Sequence, residues 1–142
     1  MKQLFITAAA LALAACSTVP STPKTAQVSL NFAAQINGQP FACGQRYDGV
    51  GTTRSSITPS DFRMYVSEVK LLRQDGSAVP VQLTQDGMWQ HQNVALLDFE
   101  DGTGPCRNGT TATNTAVRGQ VPAGDYVGVE LTVGVPFAQN HQ

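Results

Sequence analysis

Gly124-Asp-Tyr-Val-Gly-Val-Glu-Leu-Thr-Val-Gly134 alternates apolar and polar residues, so that Val127, Val129, Leu131 and Val133 fall on one face of an extended chain. A period of two, rather than 3.6, marks a strand with one face buried. The same period recurs upstream. Gln27-Val-Ser-Leu-Asn-Phe-Ala-Ala-Gln-Ile36 puts Val28, Leu30 and Phe32 on one side and runs into Asn37-Gly38, a hairpin-type turn. Phe62-Arg-Met-Tyr-Val-Ser-Glu-Val-Lys-Leu-Leu72 reads as a long strand closing on Asp75-Gly76. Val79-Pro-Val-Gln-Leu83 reads as a short edge strand, because Pro80 has no N–H to give a ladder. Val94-Ala-Leu-Leu-Asp-Phe99 is a further strand, and Val121-Pro-Ala-Gly124 a turn before the last one. No internal repeat and no helical pattern stands out. Short strands separated by Gly, Pro, Asn and Asp predict an all-β fold, an antiparallel β-sandwich of the Ig-like or cupredoxin-like kind.

The start of the chain has a different character. A basic Met1-Lys2 precedes an apolar run from Leu4 to Ala15, and Leu13-Ala-Ala-Cys16 follows the pattern of a bacterial lipoprotein signal. About a dozen apolar residues are too few for a bilayer core that needs about 20. Residues 1–15 are therefore expected to be a removable signal peptide and Cys16 the lipidated residue. Ser17, rather than Asp, at the next position favours the outer membrane in Gram-negative sorting. Residues 16–25 contain little to bury and are expected to be a tether. The folded domain is expected over residues 26–142.

Charged residues make up 13% of the chain and the formal net charge is −1. That balance gives no basic patch for nucleic acid or anionic lipid. With Cys16 assigned to lipid, Cys43 and Cys106 remain. In an oxidising compartment an even pair is most simply a disulfide, with a two-thiolate metal site as the alternative.

Few residues are left to carry chemistry. Trp89 is the one tryptophan, and His91 and His141 are the two histidines. Trp89 and His91 stand at i and i+2, so both point to the same side of an extended segment; Met88 would point the other way unless the segment turns. Imidazole and thioether are ligand types that suit copper. From spacing alone, however, Trp89 reads as a core or edge aromatic and His91 as a solvated loop residue. Asp98-Phe-Glu-Asp-Gly-Thr103 offers hard oxygen donors, but not at EF-hand spacing, and reads as a solvated turn that Asp98 caps. Gly49-Val-Gly51 and Gly102-Thr-Gly104 are not followed by a helix start or by Lys-Ser/Thr, which excludes a phosphate loop. No triad order or paired-carboxylate pattern supports hydrolysis, and the chain is not expected to be an enzyme.

Five segments carry a resemblance: Phe41-Ala-Cys-Gly-Gln-Arg-Tyr47, Pro59-Ser-Asp-Phe-Arg-Met-Tyr-Val-Ser67, Val94-Ala-Leu-Leu-Asp-Phe-Glu-Asp-Gly-Thr-Gly104, Cys106-Arg-Asn-Gly-Thr110, and Gly134-Val-Pro-Phe137 with Asn140-His141. Together they resemble the MbnP family, exported four-Cys proteins encoded beside a MauG-like dihaem peroxidase of the MbnH type. The resemblance implies copper binding in the periplasm or at the cell surface. It also implies that the peroxidase partner oxidises a tryptophan to kynurenine. Opening the indole of Trp89 would leave an aromatic amine as a soft ligand, next to His91. Such a kynurenine-x-histidine pair is similar to the copper site of methanotroph surface copper proteins. By this resemblance the site comprises Trp89, His91 and His141, with Met88 or Met64 as lesser candidates.

Family members continue past this point, through a tryptophan-containing segment and a second cysteine pair. The chain therefore reads as the N-terminal part of a longer protein, with a sandwich incomplete at its C-terminus. Two functions of different class follow: a lipid-anchored copper-binding protein of the cell envelope, or a metal-free structural or adhesive Ig-like surface lipoprotein.

Overall fold

The computed structural model describes residues 23–141. The signal peptide, the lipidated Cys16 and most of the tether lie outside the described residues. In chain order the strands are β1 (Thr25–Asn31), β2 (Gln35–Ile36), β3 (Gln39–Pro40), β4 (Tyr47–Val50), β5 (Ser55–Ile57), β6 (Arg63–Leu72), β7 (Ala78–Pro80), β8 (Gln82–Leu83), β9 (Gln90–His91), β10 (Val94–Asp98), β11 (Ala116–Pro122) and β12 (Gly128–Val133). A 3-10 turn covers Gly104–Cys106, and one helical turn, α1, covers Phe137–Asn140.

Two antiparallel sheets form the sandwich. One has the order β1-β11-β8; the other has the order β12-β6-β10-β9, with β7 also paired to β6. Between them lie Val66, Val69 and Leu71 of β6, Ala95 and Leu97 of β10, Val117 and Val121 of β11, Leu83 of β8, and Val81. Burying one such side chain contributes about 1.5–3 kcal/mol, so the face-to-face contact of the two sheets dominates the stability.

The Asn37-Gly38 hairpin forms as its residues require. Ile36 pairs with Gln39, and Asn37 and Gly38 both have positive φ, 50° and 79°, the requirement of a type I′ turn. Hydrogen bonds between Arg73 and Ser77 and between Gly76 and Arg73 close the turn after β6.

The structure departs from the sequence reading in five places. The first predicted strand breaks: β1 ends at Asn31, and its continuation forms the separate β2–β3 hairpin. The segment 79–83 is not one edge strand, because Val79 pairs with β6 while Gln82 and Leu83 pair with β11, so the chain changes sheets at Val81. Val121 and Pro122 end a seven-residue strand, β11, rather than opening a turn. That strand is the middle of its sheet, and its Gly119 passes so close to β8 that a Cβ there would meet the Gln82 carbonyl oxygen at 2.4 Å. A short helix, α1, exists where none was expected.

The fifth departure is β12. Val129 pairs with Leu71 and Val133 with Val66, so its apolar stripe faces inward as predicted. Leu131 packs against the core, but among the described residues the rest of the stripe is left largely open, since the opposing sheet ends at β1. Val127, Val129 and Val133 stay 68%, 47% and 67% exposed. A cavity of about 450 Å³ lies between β1 and β12, lined by Leu30, Phe32, Val129 and Leu131.

Candidate functional site

The Trp89–His91 pair is fixed by the residue between them. Gln90 is buried, and its side chain reaches across to β11: Nε2 donates to the Arg118 carbonyl at 2.8 Å and the Thr84 carbonyl at 2.7 Å, while Oε1 accepts the Arg118 N–H at 2.7 Å. With Gln90 turned inward, alternation sends Trp89 and His91 to the outer face of the larger sheet. His91 pairs with Val94, Leu96 N–H donates to the Trp89 carbonyl at 2.8 Å, and Leu96 pairs with Tyr65 on β6. Opposed residues of antiparallel strands share a face, so Trp89, His91, Val94, Leu96 and Tyr65 form one outer surface.

Met88 joins that surface because the chain turns. Asp86 Oδ1 accepts the N–H groups of Met88, Trp89 and Gln90 at 3.0, 2.7 and 2.9 Å. Desolvation opposes ionisation of this carboxyl, but the three N–H donors outweigh it and hold its pKa below the usual range. The segment does turn, and the Met88 side chain therefore lines the same cavity as Trp89 and His91.

That cavity is about 250 Å³ in volume, walled by Tyr65, Met88, Trp89, His91, Val94 and Leu96. A neighbouring cavity of about 340 Å³ shares Tyr65, His91 and Val94 and is closed by Val135, Gln139 and Asn140. α1 is held there by Gln139 Nε2, which donates to Asn93 Oδ1 at 3.0 Å. Trp89 is half-buried, while His91 and Met88 are exposed. An imidazole, a thioether and an indole thus share one concave surface, and the first two are donor types that suit copper.

The other expected ligands are placed differently. His141 follows Asn140 but lines neither cavity; its ring packs on Phe137 at 4.1 Å between centroids. Met64 packs against the core, on the inner side of β6, and is removed from the candidate set. Tyr65, Asp86 and Gln90 were missed by sequence reasoning. The inward phase of Gln90 was readable from the Trp-Gln-His alternation, whereas Tyr65 arrives only through strand register.

Cys43 and Cys106 are disulfide-bonded, with Cα atoms 5.9 Å apart. The acidic segment after β10 is not a solvated turn. Asp98 and Glu100 are 3% and 1% exposed, and Asp98 Oδ1 accepts the Glu100 N–H at 3.1 Å. Desolvation, reinforced by the nearby Glu100 charge, raises the Asp98 pKa against that hydrogen bond and the field of Arg63.

Fold and site together define a class: an antiparallel β-sandwich with a tryptophan–histidine pair on the outer face of one sheet. The MbnP family matches residues 25–142, and the chain belongs to that family. It is similar in structure to MbnP from Methylosinus trichosporium, with 36% sequence identity and a TM-score of 0.66, over 80% of this chain and 40% of that one. The match thus covers only 40% of that relative's length. Among proteins of curated function none matches.

Proposed function

We propose that this MbnP-family chain is a lipid-anchored, copper-binding protein of the cell envelope, facing the periplasm or the cell surface. We further propose that Trp89 is its site of oxidation to kynurenine by an MbnH-type, MauG-like dihaem peroxidase. The observation that carries this reading is the shared cavity of Trp89, His91 and Met88, with Tyr65 as its opposite wall. The membrane location rests on the Leu13-Ala-Ala-Cys16 pattern.

The protein's own part is non-catalytic. Gln90 and Asp86 hold the segment so that the indole and the imidazole face outward together, and the partial exposure of Trp89 leaves its ring open to an oxidant. Oxidative opening of the indole converts its ring nitrogen into an aromatic amine. That amine, the His91 imidazole and the Met88 thioether are the groups that would hold copper there; His141, just after α1, would have to leave Phe137 to join them. Bound copper is the cargo the protein handles.

The test is co-expression with the dihaem partner, followed by peptide mass mapping and copper analysis. The expected result is a kynurenine mass change at Trp89 and one copper per chain, with copper lost in His91→Ala. Unmodified Trp89 together with copper-free protein would reject the reading in favour of a metal-free surface lipoprotein.

A further inference from the structure

We propose that reduction of the Cys43–Cys106 disulfide creates a second metal site, in which two thiolates and the Glu100 carboxylate bind Zn²⁺. This inference is independent of the copper reading, because the residues are different and lie outside both cavities around Trp89.

Glu100 carries the argument. A carboxylate is costly to bury without full compensation, yet Glu100 is 1% exposed and only one of its oxygens is satisfied. Oε2 accepts the Gly102 N–H at 2.9 Å, whereas Oε1 has no hydrogen-bond partner. The chain also makes room for this oxygen: a Cβ on Gly109 would lie 1.3 Å from Oε1. A carboxylate oxygen of Glu100 and the Cys43 and Cys106 sulfurs all lie within 4.8 Å of one another. Zinc bonds of about 2.3 Å to sulfur and 2.0–2.2 Å to oxygen separate tetrahedral ligands by about 3.4–3.8 Å. Small side-chain shifts therefore bring the three groups onto one ion.

The bond changes are simple. A thiol or phosphine reductant gives two electrons to the S–S bond, which breaks, and each sulfur takes a proton. Zn²⁺ then displaces both protons and gains the Glu100 oxygen, leaving a fourth position for water. The hard oxygen donor selects Zn²⁺ over Cu(I), which two thiolates alone would satisfy. Cross-link and metal are thus alternative occupants of one place, exchanged by redox state.

The test is Zn²⁺ binding by the full chain, measured by competition with a chromophoric chelator, with and without a phosphine reductant. One Zn²⁺ per reduced chain is expected, none per oxidised chain, and binding at least about tenfold weaker in Glu100→Gln. X-ray absorption of the parent zinc complex should show two sulfur scatterers with oxygen completing the shell. Failure of the reduced chain to take up one zinc would overturn the proposal. So would Glu100→Gln binding as tightly as the parent, which is the behaviour of thiols in an unfolded chain. Four sulfurs around the metal would overturn it as well.

Discussion

Gln90 and Arg118 exchange two hydrogen bonds across the sandwich, the side-chain amide of one standing in for a strand partner to the backbone of the other. β9 is only two residues long, so this exchange, rather than ladder length, ties it to the facing sheet. Gln90→Leu leaves the Arg118 N–H without its acceptor, while the Arg118 carbonyl keeps the Thr84 N–H at 2.9 Å. Each unsatisfied buried group costs about 1–3 kcal/mol. The expected loss is about 1–3 kcal/mol in urea unfolding, with the Trp89 fluorescence maximum shifted to the red as the indole loosens.

Gly119→Ala should be among the most damaging small changes. The added methyl would meet backbone, the Gln82 carbonyl, as well as the Val81 side chain at 2.6 Å. Overpacking of this kind costs about 1–3 kcal/mol. Gly124→Ala is the control, since open space surrounds its Cβ, and should stay within about 0.5 kcal/mol of the parent. Equal denaturation midpoints for the two variants would contradict the close approach of β11 and β8.

Removing the cross-link with Cys43→Ser and Cys106→Ser together should cost about 4 kcal/mol in the chain-entropy model, given a sequence separation of 63. The loss should appear as a lower denaturant midpoint and a lower Tm. The segment around Gly104–Cys106 should also become the first to exchange its amide protons.

Two carboxyls should leave opposite marks on the pH dependence. Asp86 has a depressed folded pKa, so its contribution is present above the unfolded value near about 3.9 and fades as pH falls through the folded value. Asp98 has a raised folded pKa, so its contribution is complete below about 3.9 and fades as pH rises through the folded value. Asp98→Asn keeps an oxygen for the Glu100 N–H and removes a buried charge. It should match or exceed the parent in stability at pH 7 and lose that advantage below about pH 4. Asp86→Ala should instead narrow the acid side of the profile and free the Met88 turn.

Much of this was legible before the structure. β6 and β10 follow directly from runs of β-branched and aromatic residues, and Asn37-Gly38 can hardly form anything but a tight turn. β11 was not legible, because Arg118, Gly119 and Gln120 interrupt its apolar rhythm. Gly119 is there for close packing, a reason visible only once β8 lies beside it. At the site, the common direction of Trp89 and His91 followed from their spacing. The turn of Met88 depended on one carboxylate gathering three N–H groups, and Tyr65 on a register set by residues far away in sequence. Local patterning speaks for neighbours along the chain and is silent about neighbours across a sheet.

The uncovered flank between β1 and β12 changes how this protein will look in routine assays. Hydrophobic dyes are normally dark on a folded domain and brighten when packing is lost. Here Val127, Val129 and Val133 already present an apolar surface beside an open cavity, so the described fold should bind dye while native. A dye-monitored melt of residues 23–141 would then begin bright and rise little, reporting a loosened protein where there is only an open apolar flank. Intrinsic tyrosine and tryptophan signals, or circular dichroism, are the measures of its melting that this flank does not distort.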